Sequence, residues 1–471
     1  MPQAPSVALP KRLPLIAIPS NRGITPDKDA RLINGYVEQG ASEGEVLVYK
    51  RPGLTPHSAT SSVPAGTARG CYNWLGDIYS ITGSLLYKNN TSIGTVDTTN
   101  GQYRFTQTLG ATPRLVLGNG VEGYTYDGAT FANIVDADFP AAFVKGWGFL
   151  NATTYLSVSS AHILGSDLND PTAWDPLNDI LAYIEPDLAV ATAKHLVYIL
   201  CLKQWSVEVF YDAGNTSGSA LGRVEGAKSK YGCRDERTLR NIDDRLCWVS
   251  TTKEGAVQVV KFENTRAEVV STKPIERILS QFTYSSATIY SWSFRAGGHG
   301  FYGLTVGGYT FVYDLDERLW SQWWGMGLDY MPIVDSTYTA SGVPLVQGVD
   351  GLMYEIAFNV GTDTYSGTTT TIVTDLYTPN FDGGVQGRGK QLSMLYVIAD
   401  QTAGSLLKVR SNDWDYAASR WTNFRTIDLS RKEPCLANEG SFHRRAYHFR
   451  HDVPTAFRCR AIELQMDLCT L

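Results

Sequence analysis

The sequence predicts an all-β protein whose body is a β-propeller of about six blades, with a small C-terminal β-sandwich and an extended N-terminal arm. One short phrase recurs, in which an apolar or aromatic run, a tight Gly/Asn/Asp turn and a second aromatic-rich run follow each other at residues 83–90, 120–128, 307–314 and 348–354. These turn residues tolerate the positive φ that short hairpins need, so each phrase predicts a β-hairpin. Successive strand pairs lie roughly 40–60 residues apart, a period typical of propeller blades.

The composition supports this fold class. Of the 471 residues 11% are aromatic, including 26 Tyr and 11 Trp. Flat aromatic side chains pack well across the pleat of a strand, so this content favours sheets over helices. Because 43% of the residues are hydrophobic, the chain can bury a sizeable core.

The chain is predicted to divide into three consecutive segments. Residues 1–60 form an arm and the first strands, since several early prolines disfavour helix and the pair Pro52-Gly53 marks a turn. Residues 61–380 contain the recurring predicted hairpins and form the propeller. Residues 381–471 contain short, evenly spaced strand-like runs and form the small β-sandwich.

One short helix interrupts the strands. Residues 274–282 place apolar side chains at positions 275, 278, 279 and 282, which is the spacing of one helical face. Pro274 at the first turn favours the start of this helix.

Charge and targeting signals narrow the function classes. The net charge of −6 argues against a general nucleic-acid coat, which is normally basic, although it leaves room for one basic patch. No run of about 18 apolar residues predicts a membrane span, and residues 1–10 lack the pattern of a signal peptide. We therefore expect a protein that is made and assembled in a reducing cytoplasm.

Metal, cofactor and catalytic patterns are missing from the sequence. The seven cysteines form no C-x-x-C pair and are interpreted as buried free thiols. The nearest approach to a metal-ligand set has the wrong spacing for zinc and consists of His443, His448, His451 and Cys459. There is no P-loop, no H-E-x-x-H and no nucleophile elbow. We expect a protein that is not an enzyme and that holds no cofactor or metal.

Two local features remain as candidate sites. The first is a basic cluster interleaved with aromatic residues and made of Arg444, Arg445, Arg450, Arg458 and Arg460. Arginine with aromatics can grip DNA phosphates or a neighbouring subunit's carboxylates, and a plain solvated face explains the pattern equally well. The second is the aromatic group at residues 320–324, which is either a carbohydrate platform or, as we expect, packing within a blade.

The order of these and other segments along the chain resembles that of a known protein family. The matching pieces are residues 32–37, 51–54, 84–87, 124–128, 205–210, 275–282, 310–314, 320–324 and 445–464. In this order they resemble the packaged-DNA-stabilisation, or tail-nozzle, proteins of short-tailed bacteriophages. The likeness spans nearly the whole chain and is one of phrase and order, without a catalytic motif.

The resemblance implies a structural protein of the virion tail. Proteins of that family form a ring, a homohexamer, below the portal-adaptor ring. The ring closes the DNA exit channel, stabilises the packaged DNA until genome ejection and carries tail fibres, spikes or a needle. A net acidic chain suits such a channel, because DNA phosphates adhere to cations.

Two other function classes remain open on the sequence alone. One is a carbohydrate-binding or glycan-degrading propeller of a tail fibre, and the other is a cellular propeller used as an interaction scaffold. Ring formation separates the phage-junction hypothesis from both, whereas a monomer with affinity for host glycans favours the fibre hypothesis.

Overall fold

The computed structural model describes residues 11–15, 30–40, 46–385 and 387–469. Of the predicted N-terminal segment, residues 1–10, 16–29 and 41–45 lie outside the described residues. Regular structure is almost entirely β, which confirms the all-β prediction. Among the described residues, the exceptions are the helix α1 (Lys273–Leu279) and three short 3-10 helices, Ser58–Thr60, Glu236–Thr238 and Ala418–Arg420.

By its internal contacts the chain forms two compact units. The first unit is made of Met1–Thr55, Tyr309–Met331 and Ala357–Leu471, and the second of Pro56–Gly308 and Pro332–Ile356. Both units draw on non-consecutive parts of the chain. The division into consecutive segments at residues 60 and 380 stays a prediction.

The chain begins with strands that belong to the first unit, apart from Pro56 at the end of the fifth strand, which belongs to the second. In order, these are β1 (Lys11–Arg12), β2 (Arg31–Ile33), β3 (Gly35–Gln39), β4 (Val46–Lys50) and β5 (Gly53–Pro56).

The second unit then folds as a series of four-stranded antiparallel sheets in which consecutive strands pair. The first three sheets are β6 (Ala68–Trp74), β7 (Asp77–Thr82), β8 (Leu85–Lys88) and β9 (Thr91–Thr95); β10 (Arg104–Gln107), β11 (Leu115–Gly118), β12 (Gly123–Tyr126) and β13 (Phe131–Asn133); and β14 (Gly148–Leu150), β15 (Thr153–Ser157), β16 (His162–Asp167) and β17 (Asp170–Leu181).

Two more sheets of the same kind follow. They are β18 (Ala189–His195), β19 (Tyr198–Lys203), β20 (Val207–Asp212) and β21 (Leu221–Arg223); and β22 (Arg240–Ile242), β23 (Arg245–Thr251), β24 (Val257–Glu263) and β25 (Arg266–Val269). Helix α1 comes next, and it buries Ile275, Ile278 and Leu279 as the spacing predicts, together with Pro274. It ends at Leu279, so the predicted fourth apolar position, Phe282, lies beyond the helix and is half-buried.

The next strands alternate between the units. The second unit contains β26 (Ile289–Ala296) and β27 (His299–Val306), the first contains β28 (Tyr309–Asp314) and β29 (Leu319–Gln322), and the second contains β30 (Ile333–Tyr338), β31 (Pro344–Gly348) and β32 (Met353–Ala357). The described part of the second unit thus contributes to seven sheets, one more than the about six blades expected.

The sheets of the second unit pack face to face, which is the packing of a β-propeller. Between the first two sheets, Trp74 meets Tyr126 with ring centroids 5.8 Å apart, and Ile81 and Leu117 are fully buried in the same cluster. Further along, Trp248 packs in one cluster with buried residues of the preceding sheet. Because each sheet buries both of its faces, short strands with continuous apolar runs are stable here.

The remaining strands belong to the first unit. They are β33 (Thr362–Tyr365), β34 (Thr368–Thr371), β35 (Thr374–Tyr377), β36 (Lys390–Ala399), β37 (Leu406–Asn412), β38 (Arg425–Asp428), β39 (Cys435–Phe442), β40 (Ala446–His451) and β41 (Arg458–Leu468).

The first unit contains a β-sandwich. One sheet has the order β3-β4-β41-β36-β39, with β1 paired to β41, and the other runs β28-β29-β2-β35-β40-β37-β38. Val48, Leu395 and Ile462 from the first sheet and Leu376 and Phe449 from the second share one buried cluster. The predicted C-terminal sandwich is therefore present, and strands from the start and the middle of the chain complete it.

The interpretation of the cysteines as buried free thiols is confirmed in part. Five of the seven cysteines are buried free thiols, whereas Cys435 is half-buried and Cys469 exposed.

None of the helices in the described ranges has the length and apolar character that a membrane crossing requires.

Candidate functional site

The two segments at residues 32–37 and 51–54 meet in a buried polar cluster of the first unit, which we call the node. Asn34 lies between β2 and β3 with a φ of 53°, a left-handed conformation that asparagine adopts more readily than most residues. Its side-chain oxygen accepts hydrogen bonds from Arg51 Nε at 3.0 Å and from the Trp324 backbone N–H at 2.9 Å. Asn34 therefore joins two distant segments of the chain.

Arg51 is the centre of this node. Its side chain is 1% exposed and forms a two-pronged ion pair with Asp363, with nitrogen–oxygen distances of 2.9 and 2.5 Å. The same guanidinium donates to the carbonyl oxygens of Pro52 and Trp324. Paired, two-pronged contacts of this kind are strong and directional, so the node holds its segments in one geometry. Its role is structural.

The aromatic group at residues 320–324 packs within the first unit. Trp323 is 1% exposed, and its indole N–H donates to the Gly35 carbonyl oxygen at 3.2 Å. Trp320 lies against Tyr313, with ring centroids 4.9 Å apart. These contacts fit the packing interpretation and leave Trp323 with no surface for a sugar.

Two of the five candidate arginines are neutralised inside the first unit. Arg445 is buried and pairs with Asp413 at 2.7 Å, while it also donates to the Glu439 carbonyl oxygen. Arg450 pairs with Asp375 through two contacts of 2.7 and 3.0 Å. Both therefore stabilise the sandwich directly.

Asp375 is the hub of a small polar network. His448 Nε2 lies 2.6 Å from Asp375 Oδ1, and Arg410 donates to His448 Nδ1 at 2.9 Å, an arrangement that requires the neutral imidazole. Burial raises the pKa of Asp375, but the hydrogen bonds from His448 and Arg450 outweigh it and hold that pKa below its usual range. Burial, opposed by Asp375, lowers the pKa of His448.

The other three candidate arginines are exposed. Arg444 precedes β40 and is 3.8 Å from Asp415, and Arg458 on β41 is 3.5 Å from Asp400. Arg460 follows on the same face of β41, because side chains two apart on a strand share a face. Strands β40 and β41 belong to different sheets of the sandwich. The five arginines are thus close in sequence but do not form one surface.

The second unit contains a central cavity of about 420 Å³ that sequence reasoning missed. Four cationic and two acidic side chains line it: Arg104, Lys145, Lys194, Arg240, Glu236 and Asp335. Most lie on or beside the first strand of their sheets, such as Arg104 at the start of β10 and Arg240 at the start of β22. The signal available in the sequence was a charged residue on or just before several of the first strands.

The adjacent acidic pairs Asp235-Glu236 and Asp243-Asp244 each place a carboxylate in an ion pair. Asp235 accepts the guanidinium of Arg237 at 2.7 Å, and Asp243 pairs with Arg295 at 2.5 Å. Within the described ranges, no group of three or more His, Cys, Asp or Glu side chains is arranged to hold a metal ion.

The fold and these sites define a class of protein, a β-propeller combined with a β-sandwich whose buried charges serve structure. The family model described as "Bacteriophage P22 Gp10, beta-propeller" matches residues 35–341. Since this match covers well over half of the chain, the chain belongs to that family. It is a bacteriophage structural protein and a component of the virion.

Solved structures with similar architecture are distant in sequence. A streptogramin B lyase aligns with a TM-score of 0.42 and 8% identity over 64% of this chain and 97% of its own. The WD40 β-propeller domain of Doa1 aligns with a TM-score of 0.40 and 11% identity over 65% and 97%. YCF48 bound to D1 peptide aligns with a TM-score of 0.38 and 9% identity over 66% and 100%. No curated protein sequence matches the chain.

Proposed function

We propose that this chain is the tail-nozzle, or tail-hub, protein of a short-tailed phage. Six copies form a ring below the portal-adaptor ring, close the DNA exit channel and stabilise the packaged DNA until genome ejection. Tail fibres, spikes or a needle attach below the ring, which is assembled in the host cytoplasm. The observation that carries this proposal is the family match over residues 35–341.

The structure is compatible with a mechanical role of this kind. Sheets that bury both faces, and a sandwich fixed by ion pairs such as Arg51–Asp363, make stiff bodies with little freedom to deform. The proposed assembly or DNA contacts are the exposed Arg444, Arg458 and Arg460. The charges of Arg445 and Arg450 are already paired with Asp413 and Asp375. These two arginines therefore stabilise the sandwich that carries the three proposed contact residues.

The test is a phage that lacks this gene and receives the protein from a plasmid in the host. Without the plasmid, heads should package DNA and then lose it, which is measured as nuclease-sensitive DNA in purified particles. With the plasmid, the DNA should be retained. Particles that keep their DNA but fail to adsorb to cells would contradict the proposal and favour a glycan-binding fibre protein.

A further inference from the structure

The central cavity of the second unit carries more positive charge than its own carboxylates neutralise. Both carboxylate oxygens of Asp335 have partners: Oδ1 pairs with Arg240 at 3.1 Å, and Oδ2 accepts the Cys71 backbone N–H at 3.1 Å. Glu236 pairs with Lys145 at 3.5 Å. Both acidic side chains that line the cavity therefore already have a cation.

Arg104 is left without a carboxylate. Its guanidinium donates to the Glu236 carbonyl oxygen at 2.8 Å, and no described carboxylate forms an ion pair with it. Burial, together with the nearby charge of Arg240, lowers the pKa of Arg104 to about 10. A guanidinium has five N–H donors, so Arg104 keeps donors that face the cavity.

Lys194 adds a second unneutralised cation. It lies on β18, lines the same cavity and is exposed, and no described acidic side chain pairs with it. Tyr338 also lines the cavity, and its hydroxyl oxygen accepts the Arg295 backbone N–H at 2.7 Å, which leaves the O–H as a neutral donor. The cavity thus combines two cations that lack a carboxylate partner with a neutral hydrogen-bond donor.

We propose that this cavity is a binding site for a small oxyanion of the phosphate type, held by Arg104 and Lys194. An arginine fork matches the geometry of tetrahedral oxyanions, and lysine supplies a second, mobile charge. The volume of about 420 Å³ is more than ten times the roughly 30 Å³ share of one water molecule, so a hydrated phosphate fits. Binding would neutralise the excess charge at the centre of the propeller. This site does not depend on the proposed ring.

The experiment measures thermal unfolding of the full chain in sodium phosphate against sodium chloride of equal ionic strength. A ligand that binds only the folded state raises the unfolding temperature, and we expect a rise of about 2 °C or more in 20 mM phosphate. Phosphate also stabilises folded proteins without binding, so the comparison between variants decides the question.

The decisive variant is Arg104→Met, and its matched control is Arg114→Met. Arg114 directly precedes β11, at the other end of the same hairpin, and does not line the cavity. The rise should persist in Arg114→Met and be lost in Arg104→Met. If Arg104→Met fails to fold, Lys194→Met replaces it, because an exposed lysine is readily removed. An equal rise in all variants, or no rise in the unchanged protein, overturns the proposal.

Discussion

Two buried lysines show how single residues set the balance of charge in this protein. Lys203 is fully buried in the second unit and pairs with Asp187 at 3.2 Å and Glu208 at 2.7 Å. Lys50, at the end of β4, has one side-chain partner among the described residues, the carbonyl oxygen of Val453 at 2.8 Å. Burial, reinforced by Arg51, lowers the pKa of Lys50 to about 7.

Lys50→Met should stabilise the protein most at low pH. A folded-state pKa below the unfolded value means that the buried charge is unfavourable below pH 7, and that the penalty fades as pH rises towards 10. We expect a gain of about 2 kcal/mol in the free energy of unfolding at pH 6 and a smaller gain at pH 9. Denaturant titrations at the two pH values measure this.

Lys203→Met is the matched contrast for that measurement. It leaves Asp187 and Glu208 buried beside less positive charge, so it should destabilise by about 3 kcal/mol or more at both pH values. If Lys50→Met lowered the free energy of unfolding, or raised it equally at both pH values, the ammonium group of Lys50 would not be a buried charge without a carboxylate partner.

Removing one partner of the Arg51–Asp363 pair should have a large cost. Arg51→Met leaves a buried carboxylate unpaired and strips Asn34 of a donor, so we expect a loss of about 3–5 kcal/mol in unfolding free energy. The exposed pair Arg295–Asp243 is the control, and Arg295→Met should cost about 1 kcal/mol or less. Similar losses in the two variants would contradict the structural role of the node.

The sequence did not predict the node. Asn34 and Arg51 lie in two segments that carry the family resemblance, whereas Asp363 lies 312 positions from Arg51 and is one ordinary acidic residue in a Thr-rich run. Local pattern carries no information about such long-range pairs. For the same reason, five arginines close in sequence were grouped as one candidate cluster, although β40 and β41 lie in different sheets.

At the level of elements, hairpin turns and alternation were good guides. On β41, exposed Arg458 and Arg460 alternate with buried Cys459 and Ala461, the period of two that a half-buried strand requires. The sandwich itself was predicted from such runs. Its N-terminal strands were not, because strand order is set by packing between distant segments and not by local propensity.

Neighbouring sheets of the second unit approach so closely that one position excludes a side chain. Gly146 precedes β14 with a φ of 119°, and an added Cβ would lie 2.0 Å from the Thr192 carbonyl oxygen on β18. Gly146→Ala should therefore lower the unfolding free energy by more than about 3 kcal/mol. Gly255→Ala is the control, since its φ is 83° but nothing lies near its Cβ, and backbone strain alone costs about 1–2 kcal/mol. Equal effects, measured by denaturant titration, would argue against this close approach of sheets.

For the whole molecule, the sequence predicted the fold class and the family correctly, and the family match identifies a phage structural protein. The blade number was harder to predict. Hairpin spacing is irregular, and sheets that use strands from separated parts of the chain leave no continuous repeat to count. Assembly lies beyond one chain, so the ring is a proposal.

The most direct test of the account is the mass of the assembled protein. Size-exclusion chromatography with light scattering should show, at least when the portal-adaptor ring is present, particles to which this protein contributes about six times the 51.8 kDa chain mass. Exchange of Arg444, Arg458 and Arg460 for Glu should reduce that assembly without lowering thermal stability. A chain that stays monomeric even beside the adaptor ring would contradict the central claim.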